Sequence, residues 1–302
     1  MTYRAFVSSW YTLAAVAGLV LVSAAPAEAA APLSGYQVIR RDAPVAAGAF
    51  LRDTVLCPSG KVALGGGASV VGSGTADFRT VLSESAPGTI DGGARSLWLV
   101  ALRNTDTVPH RIGLFVTCAT RPAGYQVVNR EVTVPAGRFL RDTVLCPSGK
   151  VTLGGGASVV RSGTADFKTV LSESAPGTVN GGARSLWLVA LRNDDTGSHR
   201  VGLSATCATR PLGYQVARRD VAVPAGKFLR STVLCPTGEI ALGGGASVVG
   251  SGTADFKTVL SESAPGTIGA GGTSRSLWLV ALRNRDTARH SVGLLTTCAR
   301  TR

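Results

Sequence analysis

The sequence predicts an all-β protein made of three similar antiparallel β-sandwich or barrel-like domains in tandem, each with one internal disulfide. Three observations support this prediction: a long internal repeat, the absence of helical periodicity, and two cysteines in every repeat. The motif Gly-Tyr-Gln-Val begins three segments 89 residues apart, 35–123, 124–212 and 213–302. Each segment is long enough to form a domain, so the period predicts three domains rather than the blades or turns of a solenoid.

Residues 1–31 precede the repeats and have the pattern of an export signal. Arg4 is followed by the apolar run Leu13–Ala25 and by Ala27-Glu28-Ala29, an A-x-A cleavage motif. The mature chain is therefore expected to begin near Ala30. The apolar run is shorter than the roughly 20 residues of a membrane helix, so we expect no membrane span and a secreted, extracellular or cell-wall-associated protein.

Each repeat contains short runs rich in Val, Leu and Thr between clusters of Gly, Pro, Ser and Asp, which is typical of β-strands and turns. In the last run of repeat 1, Ile112, Leu114 and Cys118 share one face, which predicts that the cysteine points into the core. Phe115 lies on the other face, and its replacement by Ser204 and Leu295 suggests exposure to solvent. The strands predicted in repeat 1 are Tyr36–Arg40, Phe50–Cys57, Lys61–Val71, Phe78–Ser85, Ser96–Asn104 and Arg111–Cys118.

The six cysteines indicate an oxidising compartment. They allow 15 pairings, of which one bridge within each repeat is the simplest that treats all repeats alike. A shifted scheme that joins neighbouring repeats and pairs the first cysteine with the last is the alternative. The loop closed within a repeat is about 60 residues long, for which the chain-entropy model gives about 4 kcal/mol. The predicted bridges are Cys57–Cys118, Cys146–Cys207 and Cys235–Cys298.

No cofactor or metal site is predicted, because the cysteines lack the Cys-x-x-Cys spacing of zinc sites. A glycine triplet recurs at 65–67, 154–156 and 243–245. It lacks the Walker spacing and a following helix, so we interpret it as a β-bulge or a close backbone approach rather than a phosphate-binding loop.

Each repeat has one tryptophan, at Trp98, Trp187 and Trp278, in the run Ser-Leu-Trp-Leu-Val-Ala-Leu-Arg-Asn. An exposed tryptophan could stack on a sugar, so these residues are candidates for ligand binding. Apolar neighbours on both sides favour a buried central strand with the indole packed against the disulfide.

One histidine per repeat lies just before the last strand, four residues after an aspartate. The histidines are His110, His199 and His290, and the aspartates are Asp106, Asp195 and Asp286. They are the second set of candidate ligand-binding residues. With Ser83-Glu84-Ser85 they complete a list of Ser, His and acid, but no nucleophile elbow is present. No catalytic residues are assigned and the protein is not predicted to be an enzyme.

The net charge of +13 favours contact with anionic or glycan polymers at a cell surface. The charges are scattered, rarely more than two in a row as in Arg40-Arg41, which is also expected of an evenly solvated surface. They do not alternate with aromatic residues, and no nucleic-acid-binding motif is present, so no specific nucleic acid is predicted as a partner.

The string Cys-Pro-Ser-Gly-Lys-Val-Ala-Leu-Gly-Gly-Gly at 57–67, followed by Trp98 and Cys118, resembles a family of secreted repeat proteins common in actinobacteria. The resemblance covers every repeat and implies export without implying an activity. The strand and proline at Val81–Pro87 are similar to those of H-type lectin β-sandwiches.

These observations lead to the hypothesis of a secreted multivalent protein that binds cell-wall or extracellular polysaccharide through three equivalent sites. A structural extracellular or coat protein without a specific ligand is the second hypothesis. A secreted hydrolase is the third, and it rests only on the Ser, His and Asp residues.

Overall fold

The computed structural model describes residues 30–72, 74, 76–161, 163, 165–250, 252, 254–269 and 274–302. In these ranges the chain forms eighteen β-strands and two one-turn 3-10 helices, Asp91–Gly93 and Asn180–Gly182. All pairs between the strands are antiparallel, so the predicted all-β fold class is confirmed. The predicted export signal at 1–31 lies almost entirely outside the described residues.

Each repeat contributes six strands in the same order. Repeat 1 has β1 (Gln37–Val45), β2 (Phe50–Leu56), β3 (Lys61–Val70), β4 (Thr80–Ile90), β5 (Arg95–Asn104) and β6 (His110–Thr120). Repeat 2 has β7 (Gln126–Val134), β8 (Phe139–Leu145), β9 (Lys150–Val159), β10 (Thr169–Val179), β11 (Arg184–Asn193) and β12 (His199–Thr209). Repeat 3 has β13 (Gln215–Val223), β14 (Phe228–Leu234), β15 (Glu239–Val248), β16 (Thr258–Ile268), β17 (Arg275–Asn284) and β18 (His290–Arg300).

The largest difference from the predicted strands is at β4, which begins two residues later than expected and continues through Pro87 to Ile90. Proline ends most strands because it has no N–H to donate. Beyond Ser85, however, β4 pairs only with β5, so its other side is a free edge. Pro87 is tolerated because its missing N–H faces that edge.

Within a repeat the strands form a two-layer sandwich closed by a disulfide. In repeat 1, strands β1, β6 and β3 form one layer and β2, β5 and β4 form the other. Cys57, at the end of β2, is bonded to Cys118 in β6 and so ties the two layers together. The equivalent bonds Cys146–Cys207 and Cys235–Cys298 are present in the other repeats. The predicted pairing within each repeat is confirmed, and the shifted scheme is wrong.

The two layers of one repeat belong to different sheets, and each sheet is completed by a neighbouring repeat. Sheet I has the order β1-β6-β3-β16-β17-β14, sheet II β2-β5-β4-β9-β12-β7, and sheet III β13-β18-β15-β10-β11-β8. The repeats therefore form similar sandwich units, as predicted, but strand pairing crosses every boundary between them. Repeats 1 and 3 are joined in sheet I, so the three units close into one ring.

The first glycine of each triplet brings the three repeats together. A Cβ added to Gly65 would lie 2.3 Å from the Leu242 carbonyl oxygen of repeat 3. Gly154 and Gly243 meet Leu64 and Leu153 in the same way. The three contacts are cyclic and equivalent, so they define a pseudo-threefold axis. A side chain at any of these positions would push the backbones apart.

The second glycine of each triplet makes room inside the sandwich, and the third makes room where strands of two repeats meet. A Cβ on Gly66 would lie 2.5 Å from Trp98 Cγ, so this glycine makes room for the indole. A Cβ on Gly67 would lie 1.9 Å from the Ser263 carbonyl oxygen in β16, at the junction of repeats 1 and 3. The strand register also shifts between Ala63 and Gly65. The interpretation of the triplet as a bulge and a close backbone approach is confirmed.

Side-chain hydroxyl groups strengthen the contact at the axis by donating hydrogen bonds to carbonyl oxygens of a neighbouring repeat. Thr117 Oγ1 donates to the Leu242 oxygen at 2.5 Å, and the Tyr36 hydroxyl donates to the Ala241 oxygen at 2.8 Å. The equivalent threonines, Thr206 and Thr297, donate to Leu64 and Leu153. Burial removes water as a competing partner, so these bonds orient neighbouring repeats as well as joining them.

The first described residues close the ring at one end of the axis. The Leu33 side chain is 3% exposed and packs with Leu64, Leu153 and Leu242 of the three repeats. The Leu33 N–H donates to the Arg300 oxygen, and the Arg302 N–H donates back to the Leu33 oxygen. The start of the repeat region is thereby held against its end.

An isolated repeat 2, residues 124–212, is expected to assemble into a trimer rather than remain a folded monomer. Alone, it exposes the free sides of β9 and β10, and three copies can repeat the cyclic contact because each carries both halves of it. Sedimentation equilibrium measures the mass, which for the trimer should be close to the mass of one full mature chain. A folded monomer with protected amides in β9 would contradict the shared-sheet architecture.

Gly156→Ala is expected to destabilise the protein by about 2 kcal/mol or more, because its Cβ would lie 1.8 Å from the Ser85 carbonyl oxygen. Gly202→Ala is the matched control, since the nearest atom to that Cβ is 3.7 Å away. The control should change stability by less than about 0.5 kcal/mol. Both values come from denaturant unfolding, and equal effects of the two substitutions would contradict the close approach at the junction.

Candidate functional site

The three tryptophans lie in the core and not at a surface. Trp98, Trp187 and Trp278 are at most 1% exposed. The Trp98 Nε1–H donates to the Ser85 hydroxyl at 2.9 Å, and the other two indoles make the equivalent bond. A sugar cannot stack on a ring that the protein covers, so the tryptophans are removed from the candidate ligand-binding residues. The alternative assignment to the core is the correct one.

The histidines hold a loop and are also covered. His110 and His290 are 7% exposed, and the His199 side chain is 10% exposed. In repeat 1, His110 Nε2 lies 3.0 Å from Asp106 Oδ2, and the ring contacts Phe78 edge-on with centroids 4.7 Å apart. Repeats 2 and 3 repeat both contacts. This arrangement fixes the loop before the last strand and leaves little imidazole surface for a ligand.

The expected pairing of aspartate and histidine is therefore present, but it is structural. The Thr107 N–H and, after it, His110 hold the pKa of Asp106 below its ordinary value of 3.8. Ser85 is engaged by the indole of Trp98, and Glu84 is engaged by Arg52. Ser85, Glu84, Asp106 and His110 thus have separate structural partners, whereas the buried Ser83 hydroxyl has no hydrogen-bond partner among the described residues.

A buried ion pair lies on the outer face of each sheet, beside the junction of two repeats. Glu84 is 2% exposed and lies 3.3 Å from Arg52 of the same repeat. Its Oε2 accepts the N–H of Val159 in the next repeat at 3.0 Å, and Arg52 donates to the Gly163 oxygen there at 2.7 Å. Glu173 and Glu262 make the equivalent pairs with Arg141 and Arg230. Each pair therefore joins two repeats.

Burial raises the pKa of Glu84, Glu173 and Glu262 above the ordinary 4.5, while the paired arginine opposes that shift. The free-energy cost of removing the carboxylate from water is larger than the stabilisation that the partly solvated arginine provides.

A groove built by two repeats lies on the outer face of sheet III, and the equivalent positions of the other two sheets carry similar residues. In sheet III the groove has a volume of about 440 Å³. Repeat 2 supplies Arg141, Thr143, Pro176, Gly177, Thr178, Leu186 and Leu188. Repeat 3 supplies Val216, Arg218, Ser247 and Leu295. An apolar floor with a few hydroxyl and guanidinium groups is the usual composition of a binding site.

The residues that repeat 2 supplies to this groove have identical counterparts in the other two sheets. Arg, Thr, Pro, Gly, Thr, Leu and Leu recur at the equivalent positions of repeats 1 and 3. The residues that the other repeat supplies differ at one pair of facing residues on neighbouring strands. The pair is Arg40 and Phe115 in sheet I, Asn129 and Ser204 in sheet II, and Arg218 and Leu295 in sheet III.

The chemistry of this variable pair changes from sheet to sheet. The Arg40 guanidinium lies over the Phe115 ring, 5.5 Å from its centroid. The Ser204 hydroxyl instead donates to Asn129 Oδ1 at 2.8 Å. Ser204 and Leu295 are 5% and 8% exposed, so the expectation that this position faces open solvent is wrong. It lies on the groove floor, where neighbouring side chains cover it.

Sequence reasoning missed these grooves because each one combines residues from two repeats. The available signal was variation: positions 40 and 115 differ between repeats 1 and 2, although those repeats agree at most other positions. Only the strand register shows that the two variable positions face each other.

The chain matches no protein-family model and no curated protein. Among the described residues, no group of three or more His, Cys, Asp and Glu side chains is arranged to hold a metal ion. No helix within the described ranges has the length and apolar character needed to cross a membrane. The fold and the grooves therefore carry the functional argument.

The buried glutamates are expected to make the protein more stable in mild acid than at neutral pH. Their folded pKa lies above the unfolded value, so the folded state binds more protons, and stability rises as pH falls towards 4.5. The triple variant Glu84→Gln, Glu173→Gln, Glu262→Gln should lose this slope, because glutamine keeps an acceptor but does not titrate.

Melting temperatures of the wild type and the triple variant between pH 4.5 and 8 measure the effect. As pH falls below 3.8 both proteins should lose stability, because the lowered pKa values of Asp106, Asp195 and Asp286 mean that the unfolded state binds protons there before the folded state does. This loss of stability in acid should be the same in both proteins, so it serves as the internal control. An unchanged slope in the triple variant would contradict the assignment to the glutamates.

Proposed function

We propose that the protein is an exported, multivalent binding protein that holds an extended cell-wall or extracellular polysaccharide in the grooves of its three sheets. The observation that supports the proposal is the groove of sheet III, whose lining residues recur, apart from one facing pair, at the equivalent positions of the other two sheets. An enzyme needs one assembled site, whereas a binder gains from presenting a similar surface several times.

The composition of the groove suits a sugar polymer. Leu188, Pro176 and Leu295 offer apolar surface to the C–H faces of sugar rings. Thr143, Ser247 and the arginines supply donors and acceptors for hydroxyl groups. In sheet I the Phe115 ring adds an aromatic surface, half-buried beside Arg40. The variable pair gives the three grooves different preferences within one polymer class.

The rigidity of the ring supports binding at several points. Shared sheets and disulfides fix the grooves relative to one another, so binding at a second groove loses little further freedom. A polymer with regularly repeated units can then contact more than one groove, and three weak contacts give a much tighter total.

Export and a surface location complete the proposal. The leader at 1–31, the three disulfides and the net charge of +13 are the features expected of a secreted protein that associates with anionic or glycan surfaces. A structural coat protein without a specific ligand is the competing function, and it predicts no preference among polysaccharides.

The double variant Arg40→Asn, Phe115→Ser should weaken polysaccharide binding about tenfold, because sheet I loses the aromatic surface and the cation that its groove offers to a sugar and becomes as weak a contact as sheet II. It gives sheet I the pair that sheet II already carries, so the fold should tolerate it. Arg95→Asn is the charge-matched control, since Arg95 is exposed and lies at the start of β5. Binding is measured with the full mature chain on a glycan array and on purified cell walls.

Arg95→Asn should bind within about twofold of the wild type. Equal binding by the wild type and the double variant would show that the grooves are not the binding site. A wild-type protein that binds no polysaccharide would overturn the proposed function and favour the structural role.

A further inference from the structure

A second feature lies at the other end of the pseudo-threefold axis, away from Leu33. There Val81, Val170 and Val259 pack together, and clefts open between repeats 1 and 3 and between repeats 2 and 3. The cleft between repeats 1 and 3 has a volume of about 310 Å³. We call it the basic cleft, and its polar lining consists of Arg79, Thr80, Thr105, Ser261, Arg283 and Arg285.

We propose that the basic cleft binds a phosphate ester group. Three guanidinium groups from two repeats converge there with the hydroxyl-bearing side chains of Thr80, Thr105 and Ser261. Guanidinium groups bind tetrahedral oxyanions through paired, charge-assisted hydrogen bonds. The Thr80 and Thr105 hydroxyls already donate to the carbonyl oxygens of Ser261 and Arg79, so the Ser261 hydroxyl is the further donor. This site is separate from the grooves and does not depend on the polysaccharide proposal.

The positive charge of the cleft is only partly balanced within the described part of the chain, by Asp77 on Arg283 and by the charge of Asp106 near Arg79. Arg283 is paired with Asp77, which is the one carboxylate bonded to this set. In the described part of the chain, neither Arg79 nor Arg285 has an ion-pair partner within 4.0 Å. Partial burial and the nearby charge of Arg285 lower the pKa of Arg283. An anion in the cleft relieves this repulsion.

The backbone at the mouth of the cleft is held in an unfavourable conformation. Arg79 has φ +47°, in the left-handed region that L-residues other than Gly, Asn and Asp seldom adopt. Its N–H donates to Asp77 Oδ1 at 3.1 Å, and its carbonyl oxygen accepts the Thr105 N–H at 3.0 Å. Lys168 and Lys257 have the same conformation in the other repeats. A strained cationic residue in every repeat is typical of a functional position.

The cleft between repeats 2 and 3 carries less positive charge than the basic cleft. The residue after the conserved Asn is Thr105 in repeat 1, Asp194 in repeat 2 and Arg285 in repeat 3. The cleft between repeats 2 and 3 therefore contains Asp194 opposite Lys257 and Arg285. The carboxylate there reduces the positive charge, whereas the basic cleft has Arg285 at the position of Asp194 and Thr105 at the position that Arg285 takes in the other cleft.

Arg285→Thr tests the proposal because it places in repeat 3 the residue that repeat 1 carries. Arg95→Thr is the matched control, since it removes the same charge from an exposed residue at the start of β5 that does not line the cleft. The full mature chain is titrated with inorganic phosphate, glycerol 3-phosphate and sulfate, and binding is followed by calorimetry and by the rise in melting temperature. Arg285→Thr should weaken phosphate binding at least tenfold, and Arg95→Thr less than twofold.

A gain-of-function variant provides the second arm. Asp194→Arg removes the carboxylate from the cleft between repeats 2 and 3 and should raise the number of phosphate sites from one to two. Equal phosphate affinity in wild type and Arg285→Thr would overturn the proposal, as would equal losses in both arginine variants. Sulfate bound as tightly as glycerol 3-phosphate would also overturn it, because the cleft would then respond to charge without selecting phosphate.

Discussion

The rest of the structure depends on the contact of three backbones at the pseudo-threefold axis. Gly65, Gly154 and Gly243 allow β3, β9 and β15 to approach so closely that a single Cβ would collide with a neighbouring carbonyl oxygen. This approach brings the next glycine of each triplet under a tryptophan and the third against the adjoining strand. Core, sheet and ring thus share one requirement, the absence of side chains at the axis.

Much of one repeat could be predicted from its sequence because the determining signals are local. Alternating apolar residues, turn residues and the cysteine positions define six strands and a disulfide, and the structure agrees with both. The pairing between repeats has no local signal. Ser85 pairs with Ala157 of repeat 2, but an equivalent residue, Ala68, exists in its own repeat, and the pattern of apolar residues cannot distinguish them.

The candidate sites were harder to predict for a related reason. Rare residue types, such as Trp98 and His110, attract attention in a sequence, yet here they are buried because large rings fill a sandwich well. The grooves are made of common residues, and they become visible only when Arg40 and Phe115 are seen to face each other across two strands. Differences between near-identical repeats were more informative than their shared residues.

The junction of repeats 1 and 3 has a consequence for how the protein is made. Val70 bonds to Glu262, 192 residues later in the chain, and Leu33 bonds to Arg300. Neither contact can form until nearly the whole polypeptide has been synthesised and, if it is exported, has crossed the membrane. Such long-range contacts slow folding. Until repeat 3 is complete, repeats 1 and 2 therefore expose unpaired strand edges, at which the emerging chain can associate with other chains.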